Sequence, residues 1–261
     1  MAEKDVPAES ESPADDVDHA HADVGMVCAL PRELGPFLDR CLKVRKYSGG
    51  KFTFRGGQYE GVRVATVESG MGFGRARRAA QAMIDAHSPP WILSTGYAGA
   101  LRTGMKVGDI VMADSIVDTH GNELAVDMKM PARKGLHVGR FVTSDTMVRL
   151  VKEKQALGEK YTAIAVDMES LAVAQVCRET KTRFLAIRAL SDDMSEDLPA
   201  EILSVIGDTG SLRLGAAIGS LWRRPGSIKD MWRLRGHAFT AGENLAKFLQ
   251  EIVLQLYEAH H

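Results

Sequence analysis

An α/β fold is the class this sequence predicts, and three observations lead to it. At 261 residues, with an ordinary balance of apolar and charged side chains, the chain can bury one full-sized core, and a single large domain fits better than two small ones. Short continuous apolar runs recur along it, separated by segments of helical period, as expected of buried strands alternating with helices. The clearest case is Ala163–Asp193. Its two apolar runs, Ala163–Val166 and Phe184–Leu190, each end in acids, Asp167 and Glu169 after the first and Asp192 and Asp193 after the second. Ligands in open α/β sheets bind beyond the carboxyl ends of the strands, so this stretch reads as one wall of an active site.

Taken in order, residues 1–23 carry eight acids against the single base Lys4, with Pro and Ser and no aromatic residue. Such a segment buries too little apolar surface to order itself and is expected to be a disordered arm, leaving 24–261 as the folded domain. Val24–Leu30 is the first buried strand, and Pro31 suits the first position of a helix. Glu33 then falls in the first helical turn, where an acid either complements the helix dipole or faces the crevice at the strand end. Lys51–Phe54 and Gln58–Tyr59 around Gly56-Gly57 read as a hairpin. Val62–Val67 is a strand running into the glycine-rich turn Glu68–Gly74, ahead of a helix over Arg75–His87. Its amides suit an anion or a sugar oxygen, with a plain connection as the default; the G-x-G lacks the full dinucleotide fingerprint. Trp91–Ser94 is a strand leading into the small residues of Thr95–Leu101, which allow a ligand or a neighbouring element to come close.

Val107–Ser115 is a further strand, and Asp118–Leu136 reads as a long loop. Thr143-Ser144-Asp145 is expected to cap a helix over Thr146–Leu157. Beyond Asp193 the chain becomes an extended C-terminal segment, 194–261, with a short helix expected over Ala200–Ile206 and an apolar Leu212–Trp222. A final amphipathic helix, Glu243–Tyr257, places Leu245, Phe248, Leu249, Ile252, Val253 and Leu256 on one face. The basic stretch Leu221–Arg235 is read first as a solvated cover; contact with phosphates, an acidic partner or a membrane surface is the alternative.

Cys28, Cys41 and Cys177 have no metal-ligand spacing, and neither a metal nor a cofactor is expected. A net charge of −1 gives no reason to expect nucleic acid as a partner. Without a secretory core or an apolar stretch of spanning length, the expectation is a cytoplasmic protein.

Six segments carry a family resemblance: VGMVCALPREL (Val24–Leu34), SGMG (Ser69–Gly72), STGYAGAL (Ser94–Leu101), VGDIVMAD (Val107–Asp114), AIAVDMESLAVAQVC (Ala163–Cys177) and RALSD (Arg188–Asp192). In this order they resemble the nucleoside phosphorylase and nucleosidase superfamily, above all its 5′-methylthioadenosine/S-adenosylhomocysteine nucleosidase branch. The resemblance implies a three-layer α/β/α sandwich around a mixed sheet, a homodimer, and cleavage of a ribosyl N-glycosidic bond. It also implies the roles. Asp192 matches the acid that protonates the departing purine at N7, Glu169 the carboxylate that holds the ribose hydroxyls, and Glu33 the acid that activates water. Met168 packs beside the sugar and Ser191 helps place Asp192, while Met71, Tyr97, Ala98, Gly99, Met147 and Val148 complete the substrate pocket. The chemistry is consistent with this, because breaking the C1′–N bond builds positive charge on the ribose and negative charge on the base, and carboxylates can serve both.

Three departures from the pattern matter. Met147 stands where the branch carries an aromatic residue over the purine, Tyr97 where it carries a small serine, and the tail beyond Asp193 is long. The LPAE and WRRPGS segments of that tail resemble a hopanoid-associated phosphorylase-like branch, so a nucleoside joined to a lipid is an alternative substrate. Phosphate is the alternative nucleophile. Ser94 stands where some phosphorylases carry arginine, and Arg32 and Arg75 are the candidate phosphate ligands, while Glu33 would repel the anion and favours water. A protein that binds nucleosides without turnover is the third reading.

Overall fold

The computed structural model describes residues 21–126, 130–200, 202 and 226–261, with the backbone alone at 226–233. Most of the acidic arm, most of Ala200–Ile206, all of Leu212–Trp222 and the first five residues of the basic stretch lie outside the described residues. At the arm's end, Ala22 and Asp23 are buried, and Asp23 accepts the Arg63 amide at 2.7 Å.

The chain alternates as the apolar runs predict. In order come β1 (Val24–Cys28), α1 (Pro31–Leu38), β2 (Leu42–Gly49), β3 (Phe52–Tyr59), β4 (Val62–Glu68), α2 (Phe73–His87), β5 (Trp91–Ala100) and β6 (Ile110–Asp118). They are followed by β7 (Glu123–Ala125), β8 (Leu136–Thr143), α3 (Val151–Tyr161), β9 (Ala165–Asp167), α4 (Ser170–Thr180), β10 (Arg183–Asp192) and α5 (Gly226–Glu258). Among the described residues, all ten strands join one mixed sheet.

Side-chain alternation along the central strands makes the layers. Val24, Met26, Cys28 and Leu93 face a core shared with Leu34 and Phe37 of α1 and Leu245, Leu249 and Ile252 of α5. Val27, Ala65, Val67 and Ile92 face the opposite core, shared with Ala79 and Met83 of α2 and Val173 and Cys177 of α4. Strands buried on both faces need continuous apolar runs, which is why these were legible. The apolar face of Glu243–Tyr257 is buried as expected, but its helix begins at Gly226.

One strand organises the sheet. The first half of β5 pairs in parallel with β1 on one side and β10 on the other. Its second half loses β1 and pairs through Gly99 and Ala100 with β9. Since β9 leads through β8 and β6 back to β10, part of the sheet closes into a ring. Between the end of β1 and the start of β9, one edge of β5 lies open.

Local expectations change in four places. Gly56-Gly57 is not a turn but lies within β3, where glycine admits a close neighbour: a Cβ on Gly57 would stand 3.2 Å from the Leu42 carbonyl. The turns fall instead at Gly50 and Gly61, both at positive φ. Strand β5 does not stop at Ser94 but continues through the small residues to Ala100. The long loop contains β7, which pairs with β6. Finally, Thr143–Asp145 caps no helix at Thr146. The Thr143 hydroxyl is engaged by Asp167 and by the Leu171 amide, so the chain stays irregular until α3 begins at Val151.

Helix α3 is seated through Gly158, where a Cβ would stand 2.7 Å from the backbone oxygen of Leu101. Alanine in a helix is favoured over glycine by about 1 kcal/mol, but overpacking against a backbone that cannot rotate away costs about 1–3 kcal/mol. Gly158→Ala is therefore expected to lower the denaturant midpoint at an unchanged m-value. A raised midpoint would show that α3 is not seated there.

Candidate active site

The open edge of β5 is where the site forms. Helix α1 follows β1 across that gap, and its first turn points Glu33 inward. The Glu33 carboxylate accepts the Leu30 amide at 2.8 Å and the Tyr97 amide at 3.2 Å, the second being an amide of β5 that β1 does not reach. Glu33 thus closes its own helix start, as a first-turn acid does, and also faces the cavity. Burial raises its proton affinity above the ordinary carboxyl range, while Arg188 and the amide donors pull the other way.

Glu169 follows β9 as the residue before α4, and its carboxylate accepts the Gly72 amide at 2.8 Å. The glycine-rich turn thus supplies an amide to a carboxylate. Burial pushes Glu169 up to about 7; Arg188 lowers it and Asp167 raises it again.

Asp192 ends β10. Its Oδ1 accepts the Ser191 hydroxyl at 2.7 Å and its Oδ2 accepts Lys154 Nζ at 2.5 Å. Residues 193–199 form no helix that Asp192 could cap, and the Ser195 amide is taken by Asp193 instead. Gly99 leaves room for the carboxylate, since a Cβ there would stand 2.9 Å from Oδ2.

These three acids line one cavity of about 290 Å³. Met168, Ser191, Tyr97, Ala98 and Gly99 line it too, as do Met71 from the glycine-rich turn and Met147 and Val148 from the irregular segment before α3. Arg32 also faces it. Arg75 is not among its lining residues and lies instead over Gly70, where a Cβ would meet Nη1 at 2.8 Å. The tail contributes Leu198, Ile202, Leu234, Arg235 and Ala238, so part of the basic stretch borders the cavity. Tyr97 ties the tail down, donating its hydroxyl to the Ala238 carbonyl at 2.8 Å.

Beneath the floor lies a residue that was not singled out from the sequence. Arg188 is 1 % exposed. It donates from Nε to Asp167 at 3.1 Å, from Nη1 to the Thr95 carbonyl at 2.9 Å, and from Nη2 to the hydroxyls of Ser94 at 3.0 Å and Ser170 at 3.2 Å. Glu169 stands 3.6 Å from the same guanidinium. Burial works against the charge on Arg188, but Asp167, Glu169 and Glu33 outweigh it and hold the group cationic. The available signal was an arginine inside the apolar run Phe184–Leu190. Lys154, fully buried on an otherwise polar helix, gave no such signal.

Comparison with known proteins follows the same outline. The sequence pattern of the family described as Phosphorylase superfamily matches residues 23–212. The 5′-methylthioadenosine/S-adenosylhomocysteine nucleosidase of Colwellia psychrerythraea is 28% identical over 209 residues, covering 67% of this chain and 85% of that one. The Bacillus subtilis protein of the same name is 30% identical over 166 residues, or 53% and 72% of the two chains. Among solved structures, the Neisseria meningitidis nucleosidase in complex with methylthio-immucillin-A superposes with a TM-score of 0.67 at 22% identity, covering 88% of this chain and 97% of that one. Futalosine hydrolase of Helicobacter pylori gives 0.65 at 16%, covering 93% and 100%. At these identities the structural matches speak for the fold.

Two outcomes test the buried network. Arg188→Leu strands Asp167 and Glu169 without their cation and is expected to cost about 3–5 kcal/mol in unfolding free energy; a loss below about 1 kcal/mol in denaturant titration would mean the network is not coupled. The second concerns pH. Because Glu169 is raised from 4.5 to about 7, the folded state binds more protons than the unfolded state across that window, so its contribution to stability falls as pH rises through it. Thermal melts from pH 5 to 7.5 should show this decline, and Glu169→Gln should flatten it.

Proposed function

The chain belongs to the phosphorylase superfamily, and from that premise we propose that it is a purine nucleosidase, hydrolysing the N-glycosidic bond of an adenine nucleoside that carries a 5′ substituent. The observation that carries this reading is the convergence of Glu33, Glu169 and Asp192 on one cavity. In the proposed reaction Glu33 takes a proton from water as it attacks C1′. Its burial supports that role, because a carboxylate with raised proton affinity is a better base. Glu169 accepts hydrogen bonds from the ribose hydroxyls, and its charge favours the positive ring that forms as the bond breaks. Asp192 gives its proton to N7 of the departing base. Met71, Met147 and Met168 supply deformable apolar surface for the sugar and the base.

Arg32 faces the cavity and is the cation a phosphate would need, but Glu33 and the engagement of Arg188 favour water. The donors of Arg188 are engaged by Asp167, Thr95, Ser94 and Ser170, and a phosphate would meet the Glu33 carboxylate. The 5′ substituent is read from the tail. Leu198, Ile202, Leu234 and Ala238 line the cavity with apolar side chains, which supports an apolar 5′ group, from a methylthio group to a longer chain.

Purified protein in phosphate-free buffer is expected to release adenine and a free 5′-substituted ribose from methylthioadenosine or a longer alkylthio analogue. A strict phosphate requirement with a sugar phosphate as product would reject hydrolysis. Asp192→Asn should lower kcat by about 10²–10⁴-fold while leaving nucleoside binding measurable by calorimetry; unchanged turnover would remove Asp192 from the role of acid.

A further inference from the structure

Lys154 raises a question that the three acids do not answer. Its neighbours Lys152, Glu153 and Gln155 are exposed on α3, yet its own side chain is completely buried. Gly158, one helical turn later on the same face, holds α3 against Leu101 and so brings Lys154 under the end of β10. Burying an ammonium group is costly unless it is well paired, and an apolar side chain could fill the space without that cost. The charge therefore has its effect through what it touches: Asp192 Oδ2 at 2.5 Å and the Asp193 carbonyl at 3.0 Å. Lys154 does not line the cavity, so it meets Asp192 from the side away from a substrate.

We propose that Lys154 is a positioning residue for this reaction, fixing one oxygen of Asp192 from behind and stabilising the negative charge that the carboxyl gains when it protonates the base. The inference rests on the reading of Asp192 as the acid. In the step itself the O–H bond of Asp192 breaks as the N7–H bond forms, and the electron pair of the C1′–N bond leaves with the base. Water adds to C1′ and yields its proton to Glu33. Asp192 ends as a carboxylate facing the Lys154 ammonium, whose own protons stay in place, and solvent returns the proton from Glu33 to Asp192. Ser191 on Oδ1 and Lys154 on Oδ2 together leave the carboxyl little rotational freedom.

Several other charges surround the pair. Asp193 lies beside Asp192 and within the field of Lys154 and His237. Asp197 takes the Val151 amide at the start of α3 at 2.7 Å, and Glu196 and His237 border a small adjoining cavity. Glu153 sits on the same helix, and Glu33 and Glu169 lie across the main cavity. Comparing variants at Lys154 alone holds all of these constant.

The test compares the full-length wild type with Lys154→Met, Lys154→Gln and Lys154→Arg, each checked for folding by thermal melting. Both neutral variants should lose at least about tenfold in kcat with little change in KM. The alkaline limb of their pH–rate profile should move up by about one pH unit, because removing a neighbouring cation makes the acid hold its proton longer. The arginine variant should keep the limb near its wild-type position. If the neutral variants share the wild-type limb, or if arginine behaves as they do, the proposal fails. If Lys154→Met does not fold, Lys154→Gln, which retains a donor without the charge, carries the same comparison. A second readout needs no turnover: the Asp192 ¹³C-carboxyl resonance of the substrate-free chain, assigned by its loss in Asp192→Asn, should titrate at higher pH in the neutral variants than in wild type. A wild type that releases no base would overturn the proposed reaction, and the carboxyl titration would still show whether Lys154 controls Asp192.

Discussion

The guanidinium of Arg188 is the constraint on which the site depends. A buried cation must be matched by acceptors, and those it finds belong to separate parts of the chain: Asp167 at the end of β9, Ser170 at the start of α4, and Ser94 and the Thr95 carbonyl on β5. Satisfying one charge therefore sets the relative positions of three elements that a short apolar run could not position by itself. The match is close enough to dictate composition nearby. Gly96 has φ of +142°, and a Cβ there would stand 2.7 Å from the Glu33 carboxylate and 2.8 Å from Arg188 Nη1.

The divergence of the sheet at β5 makes room for this arrangement. Where β1 ends and β9 has not yet begun, backbone amides of β5 have no strand partner, and the Glu33 carboxylate takes the one at Tyr97. Three acids then share a small space without sharing an environment. Glu33 is held by amides, Glu169 by an amide beside a guanidinium, and Asp192 by a hydroxyl and an ammonium. Carboxyl groups placed in such different surroundings can carry out different tasks in one reaction. Two buried cations below the cavity offset the acids, which makes their concentration in one place tolerable.

Much of this was legible in the chain itself. Strands buried on both faces must be apolar throughout, so β1, β4 and β10 stand out, and acids at their ends mark the crevice. Other features left no such trace. Strand β2, exposed along most of its length, has no apolar run to reveal it. Gly56-Gly57 looks like a turn because glycine serves equally for a turn and for close strand approach, and only the neighbouring strand decides which. Thr143–Asp145 looks like a helix cap for a similar reason: its hydroxyl can bond a local amide or a distant acid, and here Asp167 takes it.

The sequence by itself determined the class of fold and the buried runs that become β1, β4 and β10, and it put acids at the strand ends, because burial periodicity and strand-end chemistry are local properties. Which amide each acid accepts, that Arg188 sits beneath the cavity, that Lys154 reaches Asp192 across 38 positions, and that the long C-terminal helix borders the same cavity were decided only by the tertiary structure. The physical reason is that these are contacts between distant segments, and the low-dielectric interior that gives each charge its effect exists only once those segments have packed together.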